Sequence, residues 1–366
     1  MEAHHPAKIL MTADTVGGVW TYAMELVRAL VPFGTKVALA TMGAPLSEDQ
    51  RRQTEDMSNL TIYESNYKLE WMENPWEDVE QASQWLMHLK DEVQPDLVHL
   101  NGMAHGNLDW GVPVIVVVHS CVMSWWRAVK GEEAPKAWDK YKEAVTKGLQ
   151  AADMVIAPTQ AMLHQAENFY GPFKASTVIY NGRGQYGFQF GKKEPFIFSM
   201  GRVWDEAKNI SMLAHIASDL SWPVYIAGDS KHPATGETIE LENVHFLGKL
   251  SEKEVSERLS RASIYALPAK YEPFGLTILE AAMSGCALVV GKAESLVEIW
   301  GNAAKYVDPN SADDLRDTIN NLIQDEFALN IMAMRAIKRS HGYTSDPMGQ
   351  DYDHVYRQLL RQTVSV

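Results

Sequence analysis

Short, continuously apolar runs alternate with amphipathic stretches along almost the whole chain. The runs include KILMTA (8–13), KVALAT (36–41), LVHLN (97–101), VPVIVVVHS (112–120), MVIAPT (154–159) and TVIYNG (177–182). A second series follows with FIFSMG (196–201), VYIAGD (224–229), VHFLGK (244–249), SIYALP (263–268) and ALVVG (287–291). Runs that are apolar throughout, without strict alternation, fit strands covered on both faces, as in a parallel sheet. Helical periodicity lies between them, as at Tyr22, Leu26, Val27 and Leu30. The expected class is therefore α/β, with helices crossing over between parallel strands.

A chain of 366 residues is long for one ordinary domain and suits two, and 46% hydrophobic residues can fill two cores. The break between the strand series falls in NGRGQYGFQFGKKEP (181–195), which holds four glycines, two lysines and a proline. This places a first α/β domain at 1–190 and a second at 191–345. The last segment, 346–366, is expected to be a helix that rejoins the first domain.

Charge and cysteine usage exclude several classes of function. The net charge is −14 with no basic stripe, which argues against nucleic acid as a partner. The acidic stretch 76–93 has helical spacing at Trp76, Val79, Leu86 and Leu89 and reads as a packed helix, so peripheral membrane contact is not expected. No apolar run approaches the ~20 residues that span a bilayer, and the first residues, MEAHHPA, lack the pattern of a signal peptide. Two isolated cysteines, Cys121 and Cys286, form no C-x-x-C motif. A cytoplasmic location is the expectation.

The strongest chemical signal is YEPFGLTILEAAMSG (271–285), after the run SIYALP. Pro273 suits a first helical turn. Gly275 permits close approach of a ligand, and free N–H groups at a helix start favour phosphate. Glu272 precedes the helix, and Glu280 would lie about two turns into it if the helix starts near Pro273. Each carboxylate can accept hydrogen bonds from two neighbouring hydroxyls. Read alone, the segment could also be an ordinary strand–turn–helix whose early glutamate favours the dipole.

With two glutamates separated by seven residues around Pro-Phe-Gly-Leu, the segment resembles the signature of family 4 retaining glycosyltransferases. The resemblance implies the GT-B fold, two Rossmann-like doubly wound domains facing across a cleft. It implies that Glu280 binds the donor's ribose and Glu272 the transferred sugar. Gly275 and Leu276, with Thr277 beside them, would meet the diphosphate. The family also carries an arginine and a lysine after the first strand of the second domain. Arg202 and Lys208 match in GRVWDEAKN (201–209). Cations there can stabilise the charge that a departing nucleotide diphosphate gains, without a metal. Gly17 and Gly18 match a Gly-Gly loop after the first strand, and His119 matches a histidine that the family often follows with aspartate. Here Ser120 follows, so this chain departs from the family pattern at that position. Lys249 and Leu250 fall in a segment that relatives place near the nucleotide base. Each of these positions has a plain structural alternative: a solvated cation, a tight turn or a satisfied histidine.

Two look-alikes fail on context. GRGQYG (182–187) spells G-x-G-x-x-G, but FQFGKKEP after it is not helical. Asp351-Tyr352-Asp353 spells the D-x-D of metal-dependent glycosyltransferases but falls in the terminal helix, where it reads as solvated charge. Trp125 and Trp126 could form an acceptor platform, although packing is the simpler reading.

The expected activity is metal-independent transfer of a sugar, with retention, from a nucleotide-diphosphate-sugar to a sugar or other hydroxyl acceptor. No cofactor is expected, since the nucleotide sugar is a substrate. The rival readings are a nucleotide-sugar phosphorylase, hydrolase or epimerase on the same fold, and a catalytically silent nucleotide-sugar-binding protein.

Overall fold

Strands buried on both faces build the molecule. In β1 (Lys8–Asp14), Ile9, Leu10 and Met11 are fully buried, because helices cover both sides of its sheet. The computed structural model describes residues 5–184, 187–232 and 236–364. Residues 1–4 of the opening stretch, Gln185 and Tyr186 of the glycine-rich segment, and Ser365 and Val366 of the terminal segment lie outside the described residues.

The first sheet contains β1, β2 (Lys36–Met42), β3 (Leu60–Glu64), β4 (Leu97–Leu100), β5 (Val114–Val117), β6 (Met154–Ala157) and β7 (Ser176–Val178). All its pairings are parallel, in the order β3-β2-β1-β4-β5-β6-β7. The second contains β8 (Glu194–Met200), β9 (Val224–Ala227), β10 (His245–Phe246), β11 (Ala262–Leu267), β12 (Ala287–Gly291) and β13 (Lys305–Val307). It too is parallel, in the order β10-β9-β8-β11-β12-β13. Both orders are those of the doubly wound nucleotide-binding fold.

The strands the sequence singles out are all present. β3 and β13 were not singled out. Each is an edge strand with few fully buried positions, so neither produces a long apolar run.

Two compact units divide the chain. The first holds Met1–Arg127, Glu132–Gly182 and Ser345–Val366, and the second Ala128–Gly131 and Arg183–Thr344. Within the first unit the terminal helix Ser345–Val364 packs through Met348, Tyr352, Tyr356 and Leu359. A Cβ on Gly349 would lie 2.6 Å from Ala29 Cβ, so glycine is what lets this helix approach the helix Gly18–Ala29. The reading of Asp351 and Asp353 as solvated charge holds for only one of them. Asp351 is exposed, but Asp353 is fully buried. Its carboxylate meets His5 Nδ1 at 2.6 Å and Arg357 Nε at 2.8 Å.

The helix Trp76–Val93 buries Ala82, Leu86, Leu89 and Val93 and leaves most of its acids outside. Cys121 and Cys286 are buried free thiols.

Candidate active site

In each sheet the strand order reverses beside its first strand. Crossovers leave in opposite directions at that point, and the loops at the strands' carboxyl ends spread apart to form a crevice. In the second unit these are the loops after β8 and β11. The first carries Arg202 and Lys208, and the second carries Glu272 and Gly275.

Backbone and amide hydrogen bonds fasten the two loops together. Lys270 N donates to Ala207 O at 2.8 Å. Asn209 takes a left-handed conformation (φ 55°) and its Nδ2 donates to Pro268 O at 2.9 Å and to Pro309 O at 2.8 Å. This leaves Lys208 Nζ donating to Glu272 Oε2 at 2.5 Å. Glu272 is buried and Lys208 is mostly so, with side chains 10% and 18% exposed. Arg202 is more open and pairs with the buried Asp205 at 2.6 Å while lying against Trp204. Burial pushes the Asp205 carboxyl up, but Arg202, Lys208 and the Ala207 N–H outweigh it and hold the group below its ordinary value. Asp205 therefore stays ionised and fixes the arginine.

Pro273 is not in the first helical turn. The helix runs Leu276–Met283 with Gly275 as its N-cap at φ 89°. A side chain is strained at that angle, and Pro273 and Phe274 form a bend ahead of the helix. The N–H groups of Leu276 and Thr277 thus open the helix, and first-turn donors have no acceptor within it. Tyr265, buried on β11, donates to Thr277 Oγ1 at 2.8 Å and steadies this end. Burial raises its phenol well above the ordinary range, so it remains a neutral donor.

The later start also moves Glu280, which is the fifth helical residue and buried. Its Oε1 accepts from Arg183 Nε at 2.9 Å. Sequence reasoning missed Arg183, because it lies inside the rejected G-x-G-x-x-G string. A lone arginine between two glycines was the available signal.

At the end of β9, Gly228 adopts φ 142°, and a Cβ there would overlap Gly201 O. The β9 loop can therefore lie directly against the β8 loop. Lys249 is 76% exposed and pairs with Asp229 at 2.8 Å, and Leu250 beside it is half-buried.

In the first unit Gly17 caps the helix Gly18–Ala29. The Asp14 carboxylate accepts from Val16 N at 2.6 Å and shapes the turn, and a Cβ on Gly18 would meet no protein atom within 4 Å. His119 follows β5, and its Nε2 lies 2.8 Å from Asn101 Oδ1. Asn101 Nδ2 donates to Thr12 O at 2.7 Å. That fixes the amide with its oxygen toward the histidine, so Nε2 carries the proton and Nδ1 is the acceptor. Burial pushes His119 down to about 3, so the ring is neutral. Asn101 was also missed in the sequence. Its importance depends on β4 lying beside β1, and strand order is not written in a local pattern. Trp125 and Trp126 are half-buried, with rings edge to face at 5.8 Å.

Two doubly wound, all-parallel units with these loops at their reversal points define an α/β protein of the GT-B class. Comparison with known proteins agrees. The chain matches the family Glycosyl transferases group 1 over residues 187–341 and Glycosyltransferase Family 4 over residues 16–183. It is similar to the N,N'-diacetylbacillosaminyl-diphospho-undecaprenol alpha-1,3-N-acetylgalactosaminyltransferase of Campylobacter jejuni, 28% identical over 175 residues. That match spans 46% of this chain and 46% of the relative, so the chain spans about half the length of that curated protein. In fold it resembles sucrose-phosphate synthase from Thermosynechococcus elongatus (TM-score 0.83, 17% identity, 97% of this chain and 99% of that one). It also resembles Anabaena HepE solved with UDP and glucose (TM-score 0.75, 17% identity, 96% of this chain and 100% of that one). The two glycosyltransferase family models each match one unit of the chain, and its fold is GT-B.

Proposed function

We propose that the protein moves a sugar from a nucleotide-diphosphate-sugar to a hydroxyl acceptor, with retention at the anomeric carbon and without a metal. The observation that carries this reading is the Lys208–Glu272 pair, set at the reversal point of the second sheet beside a helix start. An ammonium has three donors. One engages Glu272, and the others can meet a diphosphate oxygen while Glu272 accepts from a hydroxyl of the transferred sugar. Arg202 and the N–H groups of Leu276 and Thr277 supply further positive potential where the leaving diphosphate gains charge. Glu280 accepts from the ribose hydroxyls, and Lys249 and Leu250 border the base.

In the first unit, the exposed, open backbone at Gly18, next to the helix cap Gly17, suits close approach of a phosphate or sugar. His119 Nδ1, an acceptor on a neutral ring, takes a hydrogen bond from a sugar hydroxyl and holds it in place. Nδ1 of the neutral ring carries no proton to give at neutral pH, since the one ring proton sits on Nε2 toward Asn101. The leaving phosphate would then help to deprotonate the acceptor on the same face, which gives retention.

The test is incubation with a panel of nucleotide sugars and hydroxyl acceptors, followed by product analysis at the anomeric carbon. Transfer with the donor's configuration supports the reading. Isomerisation of the donor, or its breakdown only when inorganic phosphate is present, would replace it with an epimerase or phosphorylase.

A further inference from the structure

Arg183 stands in a glycine-rich stretch where a long cation would ordinarily be solvated, yet only 5% of it is exposed. Its guanidinium reaches two carboxylates, with Nε donating to Glu280 Oε1 at 2.9 Å and a terminal nitrogen donating to Glu252 Oε1 at 2.5 Å. The same group lies 4.9 Å from the centre of the Phe188 ring. Its backbone is tied as well, because Arg183 N donates to Tyr343 O at 3.1 Å. Bonds to two carboxylates and a ring beneath leave the guanidinium little freedom to turn.

The two carboxylates differ in setting. The Glu280 side chain is 7% exposed and the Glu252 side chain 37%. A buried carboxylate without a cation would gain a proton or turn away, whereas a partly exposed one is stabilised by water. The arginine therefore matters chiefly to Glu280.

We propose that Arg183 is a positioning residue for the nucleotide donor: by pairing with Glu280 it keeps that carboxylate ionised and aimed to accept hydrogen bonds from the ribose hydroxyls. The proposal rests on the reading that Glu280 binds ribose. Arg183 itself need touch no substrate. Glu252 acts as an outer anchor for the guanidinium, so its loss should matter less than loss of the arginine.

The test compares UDP, GDP and ADP with their 2′-deoxy counterparts by calorimetry on the full chain, with Tm recorded for each variant. The wild type should prefer the ribonucleotide by about tenfold, as a charge-assisted hydrogen bond would give. Arg183→Ala should lose most of this preference while its affinity for the 2′-deoxy nucleotide changes little. Arg183→Lys should restore part of it, and Glu252→Gln should keep most of it. In the Glu280→Gln background, Arg183→Ala should have no further effect on the preference. If Arg183→Ala does not fold, Arg183→Lys and Glu252→Gln still carry the test, since each should retain a measurable but reduced preference. A lowered Tm with an unchanged preference in the arginine variants, while Glu280→Gln abolishes it, overturns the role of Arg183 alone. An unchanged preference in Glu280→Gln overturns the ribose reading of Glu280 and this proposal with it.

Discussion

Lys208 Nζ lies 2.5 Å from Glu272 Oε2, so the loop after β8 and the loop after β11 are joined by one charged hydrogen bond. Each residue comes from a different strand end, and neither could be aligned by local sequence. Their pairing is set by β8 lying directly beside β11.

Removal of the lysine should therefore have two effects. Lys208→Ala should lower kcat by ~10²–10³, the usual cost of losing one group that stabilises developing charge. It should also lower Tm, because Glu272 is left buried without its cation. Arg202→Ala should lower kcat to a similar extent with a smaller change in Tm, since this side chain is 37% exposed. Steady-state kinetics with scanning calorimetry separate the two effects. Near-normal kcat in both variants would leave Arg202 and Lys208 as structural charges only.

Two histidines of the first unit set an acid limit on stability. Burial pushes His99 down to about 3, helped by the nearby His119, which is itself pushed down to about 3. His99 is held between Tyr356 Oη at 2.7 Å and Tyr22 Oη at 3.3 Å. Unfolded histidine titrates near ~6.5. Between these values the unfolded chain binds more protons than the folded one, so stability falls as pH falls. The contribution should be flat above pH ~6.5 and decline below it, by up to about 1.4 kcal/mol per pH unit for each histidine. Denaturation midpoints from pH 8 to 4 should show this slope, reduced in His99→Gln. A wild-type profile without extra slope below pH ~6.5 would contradict neutral burial.

Two glycines carry backbone demands that alanine cannot meet. Gly275 has φ 89° and Gly228 φ 142°, angles that strain any side chain, and at Gly228 a Cβ would also overlap the backbone Gly201 O. Gly275→Ala should cost roughly 1–3 kcal/mol of stability and weaken nucleotide binding, because the helix start would shift. Gly228→Ala should disturb the contact with Gly201 and cost at least as much. Urea unfolding of each variant, with a titration of the nucleoside diphosphate, checks both. Unchanged midpoints would mean that the loops relax freely.

Much of this fold was legible because buried parallel strands announce themselves as unbroken apolar runs. KILMTA and SIYALP each mark a strand to within a residue or two of its ends. Edge strands such as β3 and β13 do not, since half-exposed positions dilute the pattern. The start of the helix at Leu276 was misread because the left-handed turn at Gly275 has no distinct sequence mark. Asp353 was misread as solvated because its partners include His5, which is 348 positions away. Arg183 and Asn101 were passed over for a related reason. Their meaning comes from Glu280 and His119, which only the folded chain brings near them.

Turnover should not depend on a divalent ion. On the proposed reading, Arg202, Lys208 and the helix start would supply the positive potential that a metal otherwise gives a diphosphate. Rates in excess chelator should equal those with added Mg²⁺ or Mn²⁺. Strict dependence on either ion would move the stabilising charge away from these residues.

The central claim is that the second unit binds the nucleotide diphosphate of the donor through Glu280 and its neighbours. Calorimetric titration of UDP, GDP and ADP into the wild type and Glu280→Ala tests it most directly. The account predicts that at least one of the three binds. It also predicts that the variant loses about 1.5–3 kcal/mol, roughly 10- to 150-fold in Kd, through lost charged hydrogen bonds. Equal affinity in the two proteins, or no binding of any of the three to the wild type, would contradict it.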